Sequence, residues 1–375
     1  MVHGQTFIRR ESTSLDLDPD RNFSMKSYPS AFGPVYLEET FETLISRLQG
    51  MTYSKAFIIA DSNTAELCVP LLSEFGSGLD IKVITHGELN KTMHQCGITW
   101  SWMIENGADR KSLLLNVGGG MICDLGGFVA SCFQRGIRFI QIPTSLLAMT
   151  DAAIGGKVGV DFQGNKNYIG LFSNPEFVWI NTAFIETLPH AEKVNGLVEM
   201  VKHAIIGSRE LWEKINSIEN INQIDWNELL ELSIPVKVNT VNMDPHEAGI
   251  RKTLNFGHTI GHALESYFLS SDNPLSHGQA VTLGMLAESK MALNAGVLSE
   301  NDFEKINMLI GRLLEPAPIQ VPSFEELSPW MARDKKNTAQ SLSFSLPTGI
   351  GSCEWGLTGL DPAPALEWLK EISFR

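Results

Sequence analysis

Apolar residues in the first half of the chain fall into short runs that alternate with helix-like stretches. Strand-like runs occupy 55–61 (KAFIIAD), 81–88 (IKVITHGE), 112–120 (SLLLNVGGG) and the start of 138–151. Stretches with helical spacing lie between them, at 100–108 and 124–133. Alternation of strands and helices predicts an α/β domain with a mostly parallel sheet.

From about residue 189 the apolar positions follow a helical period instead. The helix-like stretches cover 191–207, 226–242, 276–296 and 301–313. We therefore predict an α/β domain over 1–188 and an all-α domain over 189–375. Ligands of open α/β sheets bind beyond the carboxyl ends of the strands, so we expect the active site in the cleft between the two domains.

Composition and charge narrow the possible partners. The chain of 375 residues is 43% apolar, and its 29 basic and 43 acidic residues give a net charge of −14. This balance argues against nucleic acid or an anionic membrane as a partner, because both attract a basic surface. A small anionic substrate stays possible, since a local group of lysines and arginines can outweigh the overall charge.

The chain carries no sequence sign of export or of a membrane span. Its five cysteines, at 68, 96, 123, 132 and 353, form no Cys-x-x-Cys pair, which favours free thiols in a reducing compartment. The first twenty residues contain no apolar segment typical of a signal peptide. No apolar run reaches the roughly 18 residues of a membrane span. We expect a soluble, cytoplasmic protein.

Two glycine-rich stretches are candidates for binding phosphate groups. Gly118–Gly120 follows a strand and precedes a helix, where backbone can approach a pyrophosphate. Cys123 breaks the full dinucleotide fingerprint, so a tight turn is the alternative. The stretch 151–170 has little apolar periodicity and predicts an irregular loop that binds phosphate or carboxylate, with solvated surface charges as the alternative. Its polar candidates are Asp151, Lys157, Lys166 and Asn167.

Two further groups of polar residues lie on apolar helices. Glu199, Lys202 and His203 occupy positions i, i+3 and i+4, which predicts a packed polar cluster, with a surface ion pair as the alternative. If the helix of TLNFGHTIGHALES (253–266) reaches back to residue 251, four side chains form one polar stripe at about 100° per residue. The four are Arg251, Asn255, His258 and His262.

A polar stripe on an apolar helix is costly to bury without partners, so it predicts a site. His258 and His262 could share one metal ion, or one could bind metal while the other contacts substrate. His277 follows at the start of another helix and, with Glu199, could complete a His/His/Glu zinc set.

These motifs resemble the 3-dehydroquinate synthase family, within the sugar-phosphate cyclase superfamily, from about residue 55 to about residue 351. The matching stretches are GELNK, GGGMICDLGGFVAS, QRGIRFIQIPTSLLAMTDAAIGGKVGV, NKNYIG, GLVEMVKHAII, GIRKTLNFGHTIGHALES, HGQAV and DKKN. The resemblance implies an NAD-binding α/β domain (1–188), a helical domain that binds metal and substrate (189–375), and a site in the cleft between them.

The resemblance also implies the reaction. The family converts 3-deoxy-D-arabino-heptulosonate 7-phosphate to 3-dehydroquinate and phosphate, the second step of the shikimate pathway to chorismate and the aromatic amino acids. NAD is reduced and reoxidised within each turnover. Phosphate elimination, ring opening and an aldol closure complete the carbocycle. Zinc, or cobalt as a substitute, polarises the alcohol that is oxidised.

Site residues follow from the resemblance position by position. The metal ligands are Glu199, His258 and His277. The NAD contacts are Asp61, Asn63, Glu88, Lys91, Gly119, Gly120, Asp124, Thr144, Ser145, Asp151, Lys157, Lys166 and Thr182. The substrate contacts are Lys157, Asn167, Lys202, Lys237, Arg251, Asn255, His262, and Lys335 or Lys336. Arg135 corresponds to an arginine that reaches the phosphate in the neighbouring subunit, which implies a homodimer.

The chain departs from the family pattern at a few positions. Gln279 replaces a glutamate, and we expect it to affect the orientation of a metal ligand. Ser145 follows Thr144 where the family has a second threonine, and Pro245 and His246 replace the usual acidic pattern.

Three alternative functions remain. The first is a related cyclase acting on sedoheptulose 7-phosphate or glucose 6-phosphate; Arg251, Asn255 and the lysines of DKKN favour a substrate with a carboxylate instead. The second is a metal-dependent polyol dehydrogenase that releases NADH, which the Glu/His/His set and the many cations disfavour. The third is an inactive regulatory or scaffold protein, which a complete site disfavours.

Overall fold

The computed structural model describes residues 26–72, 78–269, 271, 273–314, 316–332 and 342–372. Lys335 and Lys336, which the resemblance assigns to the substrate, lie outside the described residues. Strands and helices are numbered below within the described ranges.

Seven of the strands form one sheet in the order β1-β2-β9-β6-β5-β3-β4. β1 runs antiparallel to β2, and the remaining neighbours are parallel. Two separate hairpins, β7–β8 and β10–β11, complete the strands. The strands are β1 (Lys26–Tyr28), β2 (Val35–Leu37), β3 (Ala56–Asp61), β4 (Asp80–Ile84), β5 (Leu113–Gly118), β6 (Arg138–Pro143), β7 (Lys157–Phe162), β8 (Asn165–Phe172), β9 (Val178–Ile180), β10 (Ser343–Gly349) and β11 (Ser352–Thr358).

Helices flank this sheet in the first half and dominate the second half. Short 3-10 segments include Thr182–Thr187 and Ile250–Asn255, and a π-helical turn covers Ala148–Ala152. The α-helices are α1 (Phe41–Gln49), α2 (Ser62–Leu67), α3 (Met93–Glu105), α4 (Gly120–Cys132), α5 (His190–Gly207), α6 (Arg209–Asn216), α7 (Trp226–Met243), α8 (His258–Phe268), α9 (His277–Asn294), α10 (Glu300–Leu313), α11 (Phe324–Met331) and α12 (Ala363–Glu371).

The carboxyl ends of the parallel strands line one edge of the sheet, and each leads into a residue of the predicted NAD set. Asp61 ends β3, Glu88 follows β4, Gly119 follows β5, Thr144 follows β6 and Thr182 follows β9. Parallel pairing brings these strand ends side by side. The α/β prediction for the first half is therefore confirmed, and it concentrates the predicted cofactor residues at one edge.

The prediction of an irregular loop over 151–170 is wrong. After the π-helical turn the chain forms the hairpin β7–β8, whose turn is made by Gln163 (φ 50°) and Gly164 (φ 77°). Two successive left-handed residues match the twist of a two-residue hairpin turn. Val158 and Val160 are buried, so one face of β7 packs inward. The single glycine between the two valines, Gly159, obscured this alternation in the sequence.

The helical character of the second half is confirmed, but it is not helical throughout. The hairpin β10–β11 crosses residues 343–358, and Phe344 and Leu346 are buried on one side of it. β10 packs against α9 and α5. Two short strands near the end of a long helical region do not change its overall helical periodicity. The pattern of apolar residues therefore did not predict them.

The two faces of the sheet have different neighbours. Ile58, Leu115 and Ile140 share one apolar core with the helices of the second half. Phe57 and Leu114, on the opposite face, pack with residues of α3 and α4. The sheet and the second half thus share a continuous core, and polar side chains from both halves can meet where they join. The domain boundary at residue 188 stays a prediction.

Two smaller expectations also have outcomes. The five cysteines are free, as predicted. Within the described ranges, no helix has both the length and the apolar character needed to cross a bilayer.

Candidate active site

Three helices bring Glu199, His258 and His277 together. Glu199 lies in the middle of α5, and the two histidines are the first residues of α8 and α9. Nε2 of each histidine lies 3.5 Å from Oε1 of Glu199, and the three potential ligand atoms lie within 4.8 Å of one another. The three side chains thus point at one small volume from three directions.

The polar stripe predicted between residues 251 and 262 is not a single helix. Ile250–Asn255 is a 3-10 segment, Gly257 is left-handed (φ 79°), and α8 begins at His258. A Cβ at Gly257 would also come within 2.5 Å of Cγ of Met285, so glycine is required there twice over. Because of this break, Arg251 and the two histidines do not lie along one continuous helical face.

The Glu/His/His cluster fits a divalent cation. Glu199 is fully buried, its Oε2 pairs with the Lys202 ammonium, and its Oε1 faces Nε2 of both histidines at 3.5 Å. A buried carboxylate needs compensating positive charge, and a metal ion between Oε1 and the two rings would add to that of Lys202. Two imidazole nitrogens and one carboxylate oxygen form a donor set typical of catalytic zinc, which leaves positions open for substrate.

The protonation of these groups follows from burial and neighbouring charges. Burial alone raises the pKa of Glu199, but Lys202, His258 and His277 together outweigh burial and hold that pKa below its usual range. Burial and Lys202 both hold the pKa of His258 well below its usual range, so this ring is neutral. Burial opposes protonation of His277, yet the carboxylates of Glu199 and Glu265 raise its pKa to about 9. A metal ion bound by Nε2 of His277 would therefore have to displace a proton from that ring.

Two buried lysines and a buried histidine surround Asp151 beside the cluster. Nζ of Lys237 lies 2.6 Å from Oδ1 of Asp151, and Lys202 Nζ and His203 Nε2 each lie 3.9 Å from it. Lys202 also forms an ion pair with Glu199. Despite burial, the two lysines hold the pKa of Asp151 well below its usual range. The prediction of a packed polar cluster around Lys202 agrees with this geometry.

A second group of predicted substrate residues converges on one acid that the sequence analysis missed. Glu247 forms an ion pair with Lys157, and Nδ2 of Asn255 donates to its Oε1 at 2.9 Å. Glu247 is left-handed (φ 60°), which is uncommon for a residue with a side chain. The sequence feature that could have indicated Glu247 is its position next to Pro245 and His246, where the chain departs from the family pattern.

Arg251 is held by backbone. Its Nη1 donates to the carbonyl of Pro245 (2.6 Å) and its Nη2 to the carbonyl of Gly155 (2.9 Å), while Nε is buried without a partner among the described residues. Its guanidinium also lies 5.9 and 5.7 Å from the ring centres of Phe32 and Phe172. These contacts fix a buried cation.

His262 lies beside the metal cluster. Its ring centre is 5.0 Å from that of His258 and 5.9 Å from that of His277. Asn167, the third residue of β8, is exposed and left-handed (φ 49°), and its N–H donates to Oδ1 of Asp161 at 2.8 Å. The hairpin and α8 thus place two predicted substrate residues on different elements.

The predicted NAD residues at the sheet edge make two kinds of contact. Asp61 caps α2 by accepting hydrogen bonds from the N–H groups of Asn63 and Thr64, both at 2.9 Å. Lys91 is buried and forms ion pairs with Glu88 and with Oδ2 of Asp124, the latter at 3.4 Å. These contacts shape the loops after β3 and β4.

The glycine turn after β5 is tight and closely packed. A Cβ at Gly119 would approach Oγ of Ser145 at 3.2 Å, and one at Gly120 would approach Cβ of Ala152 at 3.3 Å. The N–H of Thr144 donates to the carbonyl of Gly118 at 2.9 Å. The turn and the loop after β6 therefore lie against each other at the N-terminus of α4, and the glycines allow this close approach.

Arg135 lies apart from these groups. It follows α4 in a left-handed turn (φ 72°), is exposed, and precedes the amino end of β6. The predicted NAD residues sit at the carboxyl ends of the strands, the opposite edge of the sheet. Arg135 therefore does not join the site of its own chain.

Glu265 is a further residue that sequence reasoning missed. It is buried on α8, its Oε2 lies 3.6 Å from Nδ1 of His277, and its Oε1 accepts from Nζ of Lys166 at 2.6 Å. Glu265 comes three residues after His262 and seven after His258, on the same helical face. An acid on the face that carries the two histidines was the signal.

The expected effect of Gln279 on a metal ligand has no support in its contacts. Gln279 is exposed and forms a capping box with Ser276, whose N–H donates to Oε1 of Gln279 at 2.9 Å. A glutamate at this third position of α9 would make the same contact. The acid that faces His277 is Glu265 instead.

Comparison with solved structures shows which proteins share this fold. The chain has the fold of a 2-deoxy-scyllo-inosose synthase solved with carbaglucose-6-phosphate, NAD+ and Co2+ (TM-score 0.81, 24% identity, 93% of this chain and 99% of that chain). It also has the fold of the 2-epi-5-epi-valiolone synthase from Streptomyces hygroscopicus subsp. jinggangensis, solved with NAD+ and Zn2+ (TM-score 0.79, 24% identity, 92% and 97%). These two likenesses show the fold of the chain.

Sequence comparison defines the family. Residues 81–195 match the 3-dehydroquinate synthase N-terminal model, and residues 196–337 match the 3-dehydroquinate synthase C-terminal model. A 3-dehydroquinate synthase from Parabacteroides distasonis is 39% identical over 311 residues, 81% of this chain and 87% of the relative. The chain belongs to the 3-dehydroquinate synthase family, and it is an enzyme, a lyase.

Proposed function

We propose that this enzyme converts 3-deoxy-D-arabino-heptulosonate 7-phosphate to 3-dehydroquinate and phosphate, in the shikimate pathway. The observation that carries the proposal is the pairing of a Glu/His/His cluster with nearby cationic side chains, of which Lys202, Lys237 and Arg251 are buried. The substrate has vicinal hydroxyls between a carboxylate and a phosphate, so it needs a metal in the middle and fixed cations at its two ends. Lys157, Lys202, Lys237 and Arg251 provide those cations, although the chain as a whole carries −14.

NAD and zinc are the proposed cofactors. The carboxyl edge of the sheet, with its glycine turn at the N-terminus of α4, supports NAD. The donor set of Glu199, His258 and His277 supports zinc, with cobalt as a substitute. When bound, the metal would polarise the hydroxyl that is oxidised, and NAD would accept and return the hydride.

The residues around the cluster have distinct proposed tasks. Lys202 and Lys237 bind an anionic part of the substrate. Asp151 fixes their ammonium groups in place. Lys157 and Asn255 bind a second anionic end, and to do so they exchange part of their contact with Glu247 for the substrate. His262 contacts substrate beside the metal. Water has little access to Lys202, which is 1% exposed, so its charge acts in a medium of low polarity.

A homodimer in the cytoplasm completes the proposal. Arg135 lies at the sheet edge opposite the predicted NAD residues of its own chain, which supports a role in the site of a neighbouring subunit. A cytoplasmic location agrees with five free cysteines.

A substrate comparison tests this function. The protein is loaded with zinc, given catalytic NAD, and assayed for phosphate release with the heptulosonate phosphate and, in parallel, with sedoheptulose 7-phosphate. We expect phosphate only from the first. Release from sedoheptulose 7-phosphate alone would assign the chain to the other cyclases. Net formation of NADH without phosphate would assign a polyol dehydrogenase.

A further inference from the structure

The helix that carries His258 begins without a side-chain cap of its own. Its N-cap is Gly257, which is left-handed and has no side chain to accept a hydrogen bond. The first N–H groups of a helix have no partner within the helix, and buried ones need an acceptor. The first turn of α8 is buried, so its acceptor has to come from another element.

Glu288 on α9 supplies that acceptor. It is fully buried, its Oε2 accepts from the N–H of Gly257 at 2.6 Å, and its Oε1 accepts from the N–H of Ile260 at 3.0 Å. A carboxylate at the positive end of a helix dipole, with a backbone N–H on each oxygen, is strongly held. Glycines allow the approach, because a Cβ at Gly284 would meet the carbonyl oxygen of Gly257 at 1.9 Å.

The same contact reaches the metal ligand through one peptide group. The peptide between Phe256 and Gly257 donates its N–H to Glu288, and its carbonyl oxygen lies 3.0 Å from Nδ1 of His258. A carbonyl only accepts, so Nδ1 carries the proton and Nε2 is left with a free lone pair. That Nε2 faces Glu199 at 3.5 Å.

We infer that Glu288 is a positioning residue for the metal ligand His258, acting through the Phe256–Gly257 peptide. Hydrogen bonds in a chain polarise one another, so the carboxylate strengthens the carbonyl as an acceptor. The stronger acceptor fixes the tautomer and the ring orientation of His258 and makes Nε2 a better donor to the metal.

The inference rests on the proposed metal site, and its test needs no substrate. Zinc affinity is measured by competition with a chromogenic chelator, and the visible spectrum is recorded with Co2+ bound. Glu288→Gln keeps the shape of the side chain but leaves one of the two N–H groups without its acceptor. We expect zinc affinity to fall about 10- to 100-fold and the Co2+ spectrum to change.

Asp225→Ala is the matched control. Asp225 caps α7 by accepting two backbone N–H groups, from Asn227 at 3.1 Å and Glu228 at 3.2 Å. We expect this variant to lower Tm by about 2 °C, with wild-type zinc affinity and Co2+ spectrum. Equal loss of affinity in Asp225→Ala and Glu288→Gln would mean that Glu288 acts only through stability, and would overturn the inference.

A measurement on the unaltered protein covers the case in which the Glu288 variants do not fold. In zinc-loaded protein labelled with nitrogen-15 histidine, NMR reports which ring nitrogen of His258 is protonated, with His258→Ala used to assign the signal. We expect the proton on Nδ1; a proton on Nε2 would overturn the inference. If His258→Ala binds zinc normally, the metal site itself is wrong, whereas a failure of the substrate assay alone leaves this inference standing.

Discussion

Lys166 on the hairpin β7–β8 and Glu265 on helix α8 form an ion pair of 2.6 Å that joins the first half of the chain to the second. Glu265 is 5% exposed and turns its other oxygen toward Nδ1 of His277, 3.6 Å away. A carboxylate behind a metal-binding histidine orients the ring and raises its basicity. The contact therefore connects a residue of the predicted NAD set to a residue of the predicted metal set.

Removing the carboxylate should weaken metal binding. For Glu265→Ala we expect zinc affinity to fall about 10- to 100-fold, because His277 loses the acceptor for its second nitrogen. Lys166→Met should have a smaller effect, since it leaves the carboxylate in place. Competition with a chelator measures both. Glu228→Ala removes an exposed ion pair with Lys214 and should leave affinity unchanged. Wild-type affinity in Glu265→Ala would exclude this role.

The two histidines of α8 should separate metal binding from turnover. His258→Ala removes a proposed ligand, so we expect loss of both bound zinc and activity. His262→Ala should keep zinc, because Glu199, His258 and His277 remain, but it should lose most turnover through its substrate contact. Metal content by elemental analysis, beside a phosphate-release assay, distinguishes the two. Loss of zinc in both variants would show that the histidines act as a metal pair.

How much of this arrangement could be predicted differs from residue to residue. The residues at the carboxyl ends of the strands could be predicted. Strand–helix alternation makes neighbouring strands parallel, so Gly119 and Thr144 have to lie close together. His258 could be singled out by its polar stripe, although the stripe itself is broken at Gly257. The choice between His258 and His262 as ligand could not come from spacing, since both lie on one face of α8.

The residues that escaped prediction are acids whose meaning depends on a contact distant in sequence. Glu288 lies 31 positions from the N–H of Gly257 that it accepts, and Lys166 lies 99 positions from Glu265. Helical periodicity describes neighbours within one element, so it gives no information on which face meets another helix. The position of Glu247 depends on its own left-handed backbone conformation, which the sequence does not indicate because the residue is not a glycine.

The pH dependence of substrate capture should depend on Lys237. Burial lowers its pKa to about 8, with Asp151 opposing and Arg251 and Lys202 acting in the same direction as burial. Above that pH the ammonium loses its proton and no longer attracts an anion. We expect kcat/KM to fall with an apparent pKa near 8, toward a slope of about tenfold per pH unit. Lys237→Arg, which stays charged, should remove this limb.

Unfolding would not explain such a fall. Because the pKa of Lys237 is lower in the folded chain than its ordinary 10.5, the unfolded chain binds more protons there between about pH 8 and 10.5. The contribution of Lys237 to stability therefore rises with pH in this window. A flat kcat/KM profile from pH 7 to 10 in the wild type would contradict the prediction, and circular dichroism at each pH confirms that the protein stays folded.

The position of Arg135 predicts complementation between inactive variants. Arg135→Ala lacks the arginine that we propose reaches the partner's site, and His258→Ala lacks a proposed metal ligand in its own site. In a mixed dimer, the Arg135→Ala chain keeps its metal site and receives Arg135 from the other subunit, so one site is restored. Equal mixing after reversible dissociation should give about a quarter of wild-type activity, since half the dimers are mixed and each has one complete site. If the protein is a monomer, or if Arg135 acts within its own chain, each variant keeps its own defect in the mixture. The mixture would then be as inactive as each variant alone.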